Sequence, residues 1–345
     1  CNKMPVLNVA KKMVISLLIL LFSFILFYYG LIFLQPAGEL LDDKVEKIIH
    51  IKPGSTIDEI SNQLSKDDII IDPLVFEVYV RFKGVASQVK AGHYRLSSMM
   101  TLSQIVDKLV AGEMADYKLT IPEGATIENI AYRLEKKGIK REKFLKLAKT
   151  SELNFLDLNV QAEEDILYQL EGFLFPNTYR IPYGSSAKEV IKIMLRQFQE
   201  RIKSLESKIK ESEYYVQEII TIASLIQAEG QLENEFPVIS SVIHNRLDRG
   251  MKLQIDATIQ YILPQRKARL LYSDLKVDSP YNTYLNYGLP PGPINNPGIK
   301  AVKAALQPAD TDYLYYVAVG GGEHKFSKTY REHLRIQNNL DDSSK

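Results

Sequence analysis

The chain has 345 residues, 46% apolar and 25% charged, with 18 Gly and 15 Pro, a globular balance that excludes wholesale disorder, collagen-like repeats and a many-spanning transporter. Lys and Arg total 43 against 42 Asp and Glu, so a formal charge of +1 gives no bulk attraction to nucleic acid, which is not expected as a partner. The single cysteine, Cys1, excludes an intramolecular disulfide framework and the Cys-rich zinc modules.

From Met13 to Leu34 runs MVISLLILLFSFILFYYGLIFL, uncharged throughout. At about 1.5 Å per helical residue it matches the hydrocarbon thickness of a bilayer, and a transmembrane helix is expected over 13–34. Lys3, Lys11 and Lys12 precede it, while Glu39, Asp42 and Asp43 follow it. The positive-inside rule then places a short N-terminus, 1–12, in the cytoplasm and the bulk of the chain outside, with the cytoplasmic membrane as a partner through one helix. A cleaved signal peptide is the alternative, but the apolar run is long for one and no small-x-small site follows closely.

The middle of the chain repeats itself. A shift of seventy positions aligns IKPGSTIDEISNQL, Ile51 to Leu64, with IPEGATIENIAYRL, Ile121 to Leu134, and TLSQIVDKL, Thr101 to Leu109, is a partial third copy. In each copy a Thr precedes apolar residues one, four and eight positions later, which predicts an N-capped amphipathic helix; Glu59 and Gln104 stand where a capping box needs them. Short β runs precede the two full copies. Such β-then-helix units resemble LysM-like modules, which commonly bind chitin or peptidoglycan glycan; plain scaffold is the competing reading. KAGHYRL (Lys90 to Leu96) and LEGFLFPNTYRI (Leu170 to Ile181) are aromatic strands that could line a sugar groove or pack a core.

A charged, helix-rich stretch from Ala187 to about Ser212 reads as solvated scaffold. The next helix has Ile219, Ile222, Ala223 and Ile226 on one face and ends at Glu229-Gly230. Glu229 continues the apolar stripe at the negative end of the helix dipole, and both settings favour a proton-holding, general-acid glutamate. A solvated helix-end Glu is the bland alternative. Pro237 opens another helix with Ile239, Val242, Ile243 and Leu247 inward and Gly250 as its stop. Gln254, Asp256, Thr258 and Tyr261 follow, and Ser279 to Gly298 is a long loop shaped by prolines, suited either to sugar hydrogen bonding or to a structural role. YLYYVAVGGGEHKFS, Tyr313 to Ser327, predicts a hairpin with a Gly-rich turn and not a phosphate cradle.

The ordered set LEGFLFPNTY, ASLIQAEG, HNRLDRGMKLQIDATIQY, SPYNTY, GLPPGPINNPG and YVAVGGGEHKFS resembles the YceG-like, MltG-type endolytic murein transglycosylases over roughly Val45 to Leu334. The resemblance implies an α+β chain: a transmembrane helix at 13–34, a linker at 35–46, a LysM-like module at 47–117, a second repeat and connecting subdomain at 118–182, a mixed α+β catalytic domain at 183–335 and a polar tail at 336–345. It places Glu229 on the catalytic glutamate. Asn245, Arg246, Gln254, Asp256, Thr258, Tyr281, Asn282, Thr283 and His324 fall on motif positions expected to surround the cleft. Three positions depart from the usual pattern: Ala257 follows Asp256 where Pro is usual, Gln227 replaces a common Glu, and Asn177 replaces a frequent Asp.

The family's chemistry, as the resemblance implies it, cleaves the β-1,4 bond between N-acetylmuramic acid and N-acetylglucosamine without water and leaves a 1,6-anhydromuramyl end. One carboxyl serves both halves: Glu229 protonates the glycosidic oxygen, then takes the proton of the sugar's C6 hydroxyl. Gln254, Asn282 and Tyr281 are expected to orient the sugar, and Asp256 or Arg246 to hold the loop. The implied partners are peptidoglycan glycan strands, with synthases and division machinery as neighbours, and no cofactor. Two other readings stay open, a hydrolytic muramidase with Asp256 or Glu233 as partner carboxylate and a non-catalytic glycan-binding scaffold. The five histidines, His50, His93, His244, His324 and His333, lack tight metal-ligand spacing, and no GxSxG nucleophile motif occurs.

Overall fold

The structure is a computed structural model that describes residues 4–41, 44–150 and 165–343. Cys1, Lys3, Asp42 and Asp43 lie outside the described residues. The chain is mixed α+β and divides into two units, 1–117 with 181–184, and 118–180 with 185–345.

The first unit begins with helix α1, Met4–Leu34. Within it Lys11–Gly30 is an apolar stretch long enough to cross a membrane, and none of it is buried by protein. A short α2, Ala37–Leu41, follows. Strand β1 (Glu46–Ile51), helices α3 (Ile57–Lys66) and α4 (Pro73–Phe82), strand β2 (Gly92–Ser97) and helix α5 (Leu102–Ala111) then build a compact module. β1 and β2 pair antiparallel, with Ile49 opposite Tyr94. Period-2 alternation sends Ile49, Ile51, Tyr94 and Leu96 inward against Ile60, Leu64, Phe76 and Ile105. The Thr-started helices form as the repeat predicts: Thr56 and Thr101 cap α3 and α5 in capping boxes completed by Glu59 and Gln104.

Strand β3, Asp116–Ile121, carries the chain towards the second unit. There α6 (Ile127–Glu135) is the third repeat helix, its capping box formed by Thr126 and Asn129. Helix α7 (Arg141–Thr150) follows, and strand β4 (Asn177–Pro182) pairs with β3. The aromatic strands do not line a groove: Tyr94, Phe173, Phe175 and Tyr179 are buried, so they fill cores. The stretch from Ala187 is also less solvated than its charge suggests. It forms α8 (Ala187–Lys203), which buries Val190, Ile191, Met194, Leu195, Phe198 and Ile202 along one stripe, and a separate short α9 (Glu206–Glu211).

The rest of the second unit is organised around α10 (Val216–Glu229), which is buried from Val216 to Ile226 apart from Glu218. Around it come α11 (Phe236–Asp248), α12 (Asp256–Ile262) and α13 (Ile299–Leu306). The segment between Lys276 and Ile299 forms no helix or strand, as its prolines and glycines predict. Strands β5 (Tyr315–Gly320) and β6 (Glu323–Ser327) make the expected hairpin, whose turn has Gly320, Gly321 and Gly322 all at positive φ. The last described element is helix α14, Tyr330–Ser343, which takes in the polar stretch from 336.

Candidate active site

The apolar run of α10 ends where Glu229 emerges half-buried at its last position. Gly230 then turns the chain away, and a β-carbon there would stand 2.6 Å from the Phe236 ring. The Glu229 carboxyl accepts the hydroxyl proton of Tyr316, on β5, at 2.9 Å from Oε2. It also accepts the amide of Ala257 at the start of α12. Burial is the main influence and holds the carboxyl above the usual glutamate range; the Tyr316 hydrogen bond opposes it, Asp256 adds to it, and His324 and the Ala257 amide oppose it again. The direction is the one expected from sequence, with desolvation as its principal cause.

Behind Tyr316 stands a pair that sequence reasoning saw only in half. His324 Nδ1 lies 2.7 Å from Glu235 Oε2, and the His324 amide donates to Glu235 Oε1 at 3.0 Å. The imidazole meets Tyr316 edge to face, ring centres 5.5 Å apart. Tyr316 was legible as part of the YVAVGGGEHKFS motif but carried no signal that its hydroxyl would reach a residue 87 positions earlier.

The other anticipated residues separate into two groups. Gln254 and Asp256 are exposed beside Glu229's neighbourhood, and Asp256 Oδ1 accepts the hydroxyl of Tyr284. Gln254 holds φ at +50°, unusual for a residue with a β-carbon, and its amide donates to the Thr283 carbonyl at 3.1 Å. The remaining residues turn their polar atoms to the scaffold. Thr258 and Thr283 are buried, with their hydroxyls 3.0 Å apart. Asn282 is buried and donates to the carbonyls of Leu275 and Val277. Tyr281 is buried too, its ring tilted against that of Tyr261 at 5.2 Å. The Asn282 amide is engaged within its own loop, and Tyr281 is 1% exposed.

Asn245 donates to the carbonyls of Thr311 and Tyr313. Arg246 donates through Nε to Leu314 and through one terminal nitrogen to Lys252 and Leu253. It thereby ties the residue before β5 to the segment leading to Asp256. Gln227 Oε1 accepts the Gly298 amide at 2.9 Å.

A cavity of about 1120 Å³ opens against Ala228 and Ala257, the residues flanking the Glu229 carboxyl, and runs past Tyr261 and Asn295 to Glu128 and Tyr168. Under its wall lies Glu171, which sequence reasoning passed over as one letter of LEGFLFPNTY. Its buried carboxyl receives the Ile127 amide at 3.1 Å on both oxygens, the Tyr261 hydroxyl at 3.1 Å and the Asn296 side-chain amide at 3.0 Å. Burial outweighs these donors and pushes its pKa up to about 8. Among the described residues no three His, Cys, Asp or Glu side chains gather as a metal site.

A carboxyl biased to hold a proton, met by one phenol and flanked by two residues that line a long cleft, is a site for acid–base chemistry on a polymer. The model of the YceG-like family matches residues 49–339, and the chain belongs to that family. A Bacillus subtilis protein named endolytic murein transglycosylase is 38% identical over 324 residues, 90% of this chain and 89% of that one. A protein of the same name from Streptococcus pneumoniae D39 is 31% identical over 83% of this chain; the chain spans 57% of its length. The 2.6 Å crystal structure of a yceG-like protein from Listeria monocytogenes covers 85% of this chain and all of that one, with 35% identity and a TM-score of 0.60.

Proposed function

We propose that the chain is a membrane-anchored endolytic lytic transglycosylase acting on peptidoglycan. The observation that carries the reading is the proton-holding carboxyl of Glu229, whose neighbours Ala228 and Ala257 line the cleft, in a chain that matches nine-tenths of its length to a relative named for this activity. Glu229 donates its proton to the oxygen linking N-acetylmuramic acid to N-acetylglucosamine. The carboxylate left behind keeps two donors, the Tyr316 hydroxyl and the Ala257 amide. It then removes the proton of the C6 hydroxyl as that oxygen closes on C1, which restores the acid and seals the new end as an anhydro ring. Water takes no part. Asp256, engaged by Tyr284, raises Glu229's proton affinity by its charge and leaves the bond-forming to the sugar's own hydroxyl.

Gln254 and Asp256, both exposed, hold the sugar in this reading. The β-then-helix order of β1 with α3 and of β3 with α6 supports LysM-like modules. Lys11 and Lys12 before the apolar stretch and Glu39 after it support an N-terminus in the cytoplasm and a catalytic unit outside, beside the synthases and division proteins that handle nascent strands. A tether of this kind concentrates the enzyme on glycan emerging at the membrane face.

The test is mass spectrometry of soluble products after the full chain in detergent, or its Glu229→Gln variant, is incubated with uncrosslinked glycan strands. Anhydro-ended fragments from the unaltered chain alone are expected. Reducing-end fragments, heavier by one water, would identify a muramidase, and binding without release a scaffold.

A further inference from the structure

A second concavity lies beside the cleft in the same unit. It has a volume of about 630 Å³, and its charged residues are Lys118, Arg133, Lys136 and Lys137, with no carboxylate among the residues that line it. In a chain whose formal charge is only +1, this is a local concentration of cations. The cleft itself is of mixed sign: Glu123, Glu128 and Glu135 face it together with Arg141, Lys149 and Arg266, and Arg141 is ion-paired with Glu128. The two concavities share Asn129 and Tyr132 as a common ridge. Tyr132 is 55% exposed and carries the Lys136 ammonium 4.2 Å from its ring centre, which holds that charge at the rim. Arg133 is fixed by its bond to the Thr120 carbonyl at 3.3 Å.

On the reading of the cleft given above, its occupant is a glycan whose sugar rings are neutral. Every N-acetylmuramic acid, however, bears on its lactyl group a short peptide with free carboxylates. The cleft wall, with three glutamates set against three cations, offers those carboxylates no net attraction. A groove with four cations lies directly across the ridge. We infer that the groove formed by Lys118, Arg133, Lys136 and Lys137 binds the acidic stem peptide of the strand whose glycan lies in the cleft, and that the enzyme selects peptide-bearing over peptide-free strands. Ridge sharing sets the reach: a peptide on a sugar near Tyr132 crosses into the groove without leaving the strand. Cations at an exposed rim accelerate capture and set selectivity more than they add bond energy, so the preference weakens with salt.

The experiment compares uncrosslinked strands with intact stems against the same strands stripped by an amidase, using the full chain in detergent. Intact strands are expected to be cleaved roughly tenfold more efficiently at low ionic strength, the advantage shrinking at high salt. In a Lys118→Glu, Arg133→Glu, Lys136→Glu variant the ratio should fall to about one, with cleavage of stripped strands within about twofold. A Lys118→Met, Arg133→Met, Lys136→Met variant, which removes charge without reversing it, should give an intermediate ratio and serves if the first fails to fold. Equal rates on both strands, or a preference that survives the substitutions, overturn the inference. So does loss of binding to phosphatidylglycerol vesicles with no change in strand preference, which would make the groove a membrane contact. If no strand is cut at all, the transglycosylase reading fails instead; the groove is then judged by affinity of the Glu229→Gln chain for the two strands, and equal affinity overturns it.

Discussion

Tyr316 donates its hydroxyl to Oε2 of Glu229 at 2.9 Å, a bond from strand β5 to the last residue of α10. That bond favours the ionised carboxyl, so removing it in Tyr316→Phe raises the proton affinity of Glu229 further. In the proposed scheme the protonated enzyme that starts the reaction then persists to higher pH, while the carboxylate that takes up the C6 proton loses its stabilising donor. The alkaline limb of the rate profile should move up by about one unit and the maximal rate fall roughly tenfold. A pH–rate series on both proteins checks this, and an unmoved limb would remove Tyr316 from the mechanism.

Glu171 makes stability itself depend on pH. Its folded pKa is raised to about 8, above that of an unfolded glutamate, so the folded chain keeps a proton that the unfolded chain releases. The stability this confers is complete below the unfolded value and is lost as pH rises through about 8. Glu171→Gln, a neutral mimic, should flatten that slope. Thermal melts at pH 5 and pH 8 are the measurement: the unaltered chain loses more of its melting temperature between them than the variant does.

Gln254 separates backbone from side chain. Its φ of +50° is comfortable for glycine and costly for a β-branched residue. Gln254→Gly should fold with stability within about 1 kcal/mol of the unaltered chain, and Gln254→Val should lose about 1–2 kcal/mol. If the exposed amide holds the sugar, the Gly variant raises KM while kcat stays close to its starting value.

Asp256 and Glu229 are close enough for one charge to act on the other, yet the proposed scheme uses only one as acid and base. Glu229→Gln should lower the rate by about a thousandfold or more, Asp256→Asn by far less. Equal collapse in both, with folding intact by circular dichroism, would point to two working carboxylates and a hydrolytic product.

Local rules carried the sequence reading a long way. Thr56, Thr101 and Thr126 each start a helix because a hydroxyl three residues before a matching acceptor is a complete local instruction. The hairpin at Gly320 and the placement of Glu229 at a helix end were legible for the same reason. What stayed hidden depends on distant partners. Glu171 between Leu170 and Gly172 looks like a surface acid, and only its donors from Ile127, Tyr261 and Asn296 account for its burial. Asn282 and Thr283 read as sugar binders because amides and hydroxyls serve loops and ligands alike; the Val277 carbonyl and the Ile255 amide that engage them are defined only once the loop has closed.

Arg246 distributes its donors over three carbonyls, those of Leu314, Lys252 and Leu253. An ammonium at the end of a flexible stem conserves the charge and forfeits the fork, so Lys in its place would be conservative on paper and disruptive in the molecule. The two segments it joins lead to Tyr316 on one side and Asp256 on the other. One guanidinium therefore braces the approaches to both groups that act on the Glu229 carboxyl, and drift at this position would be felt there as a change in how firmly a single proton is held.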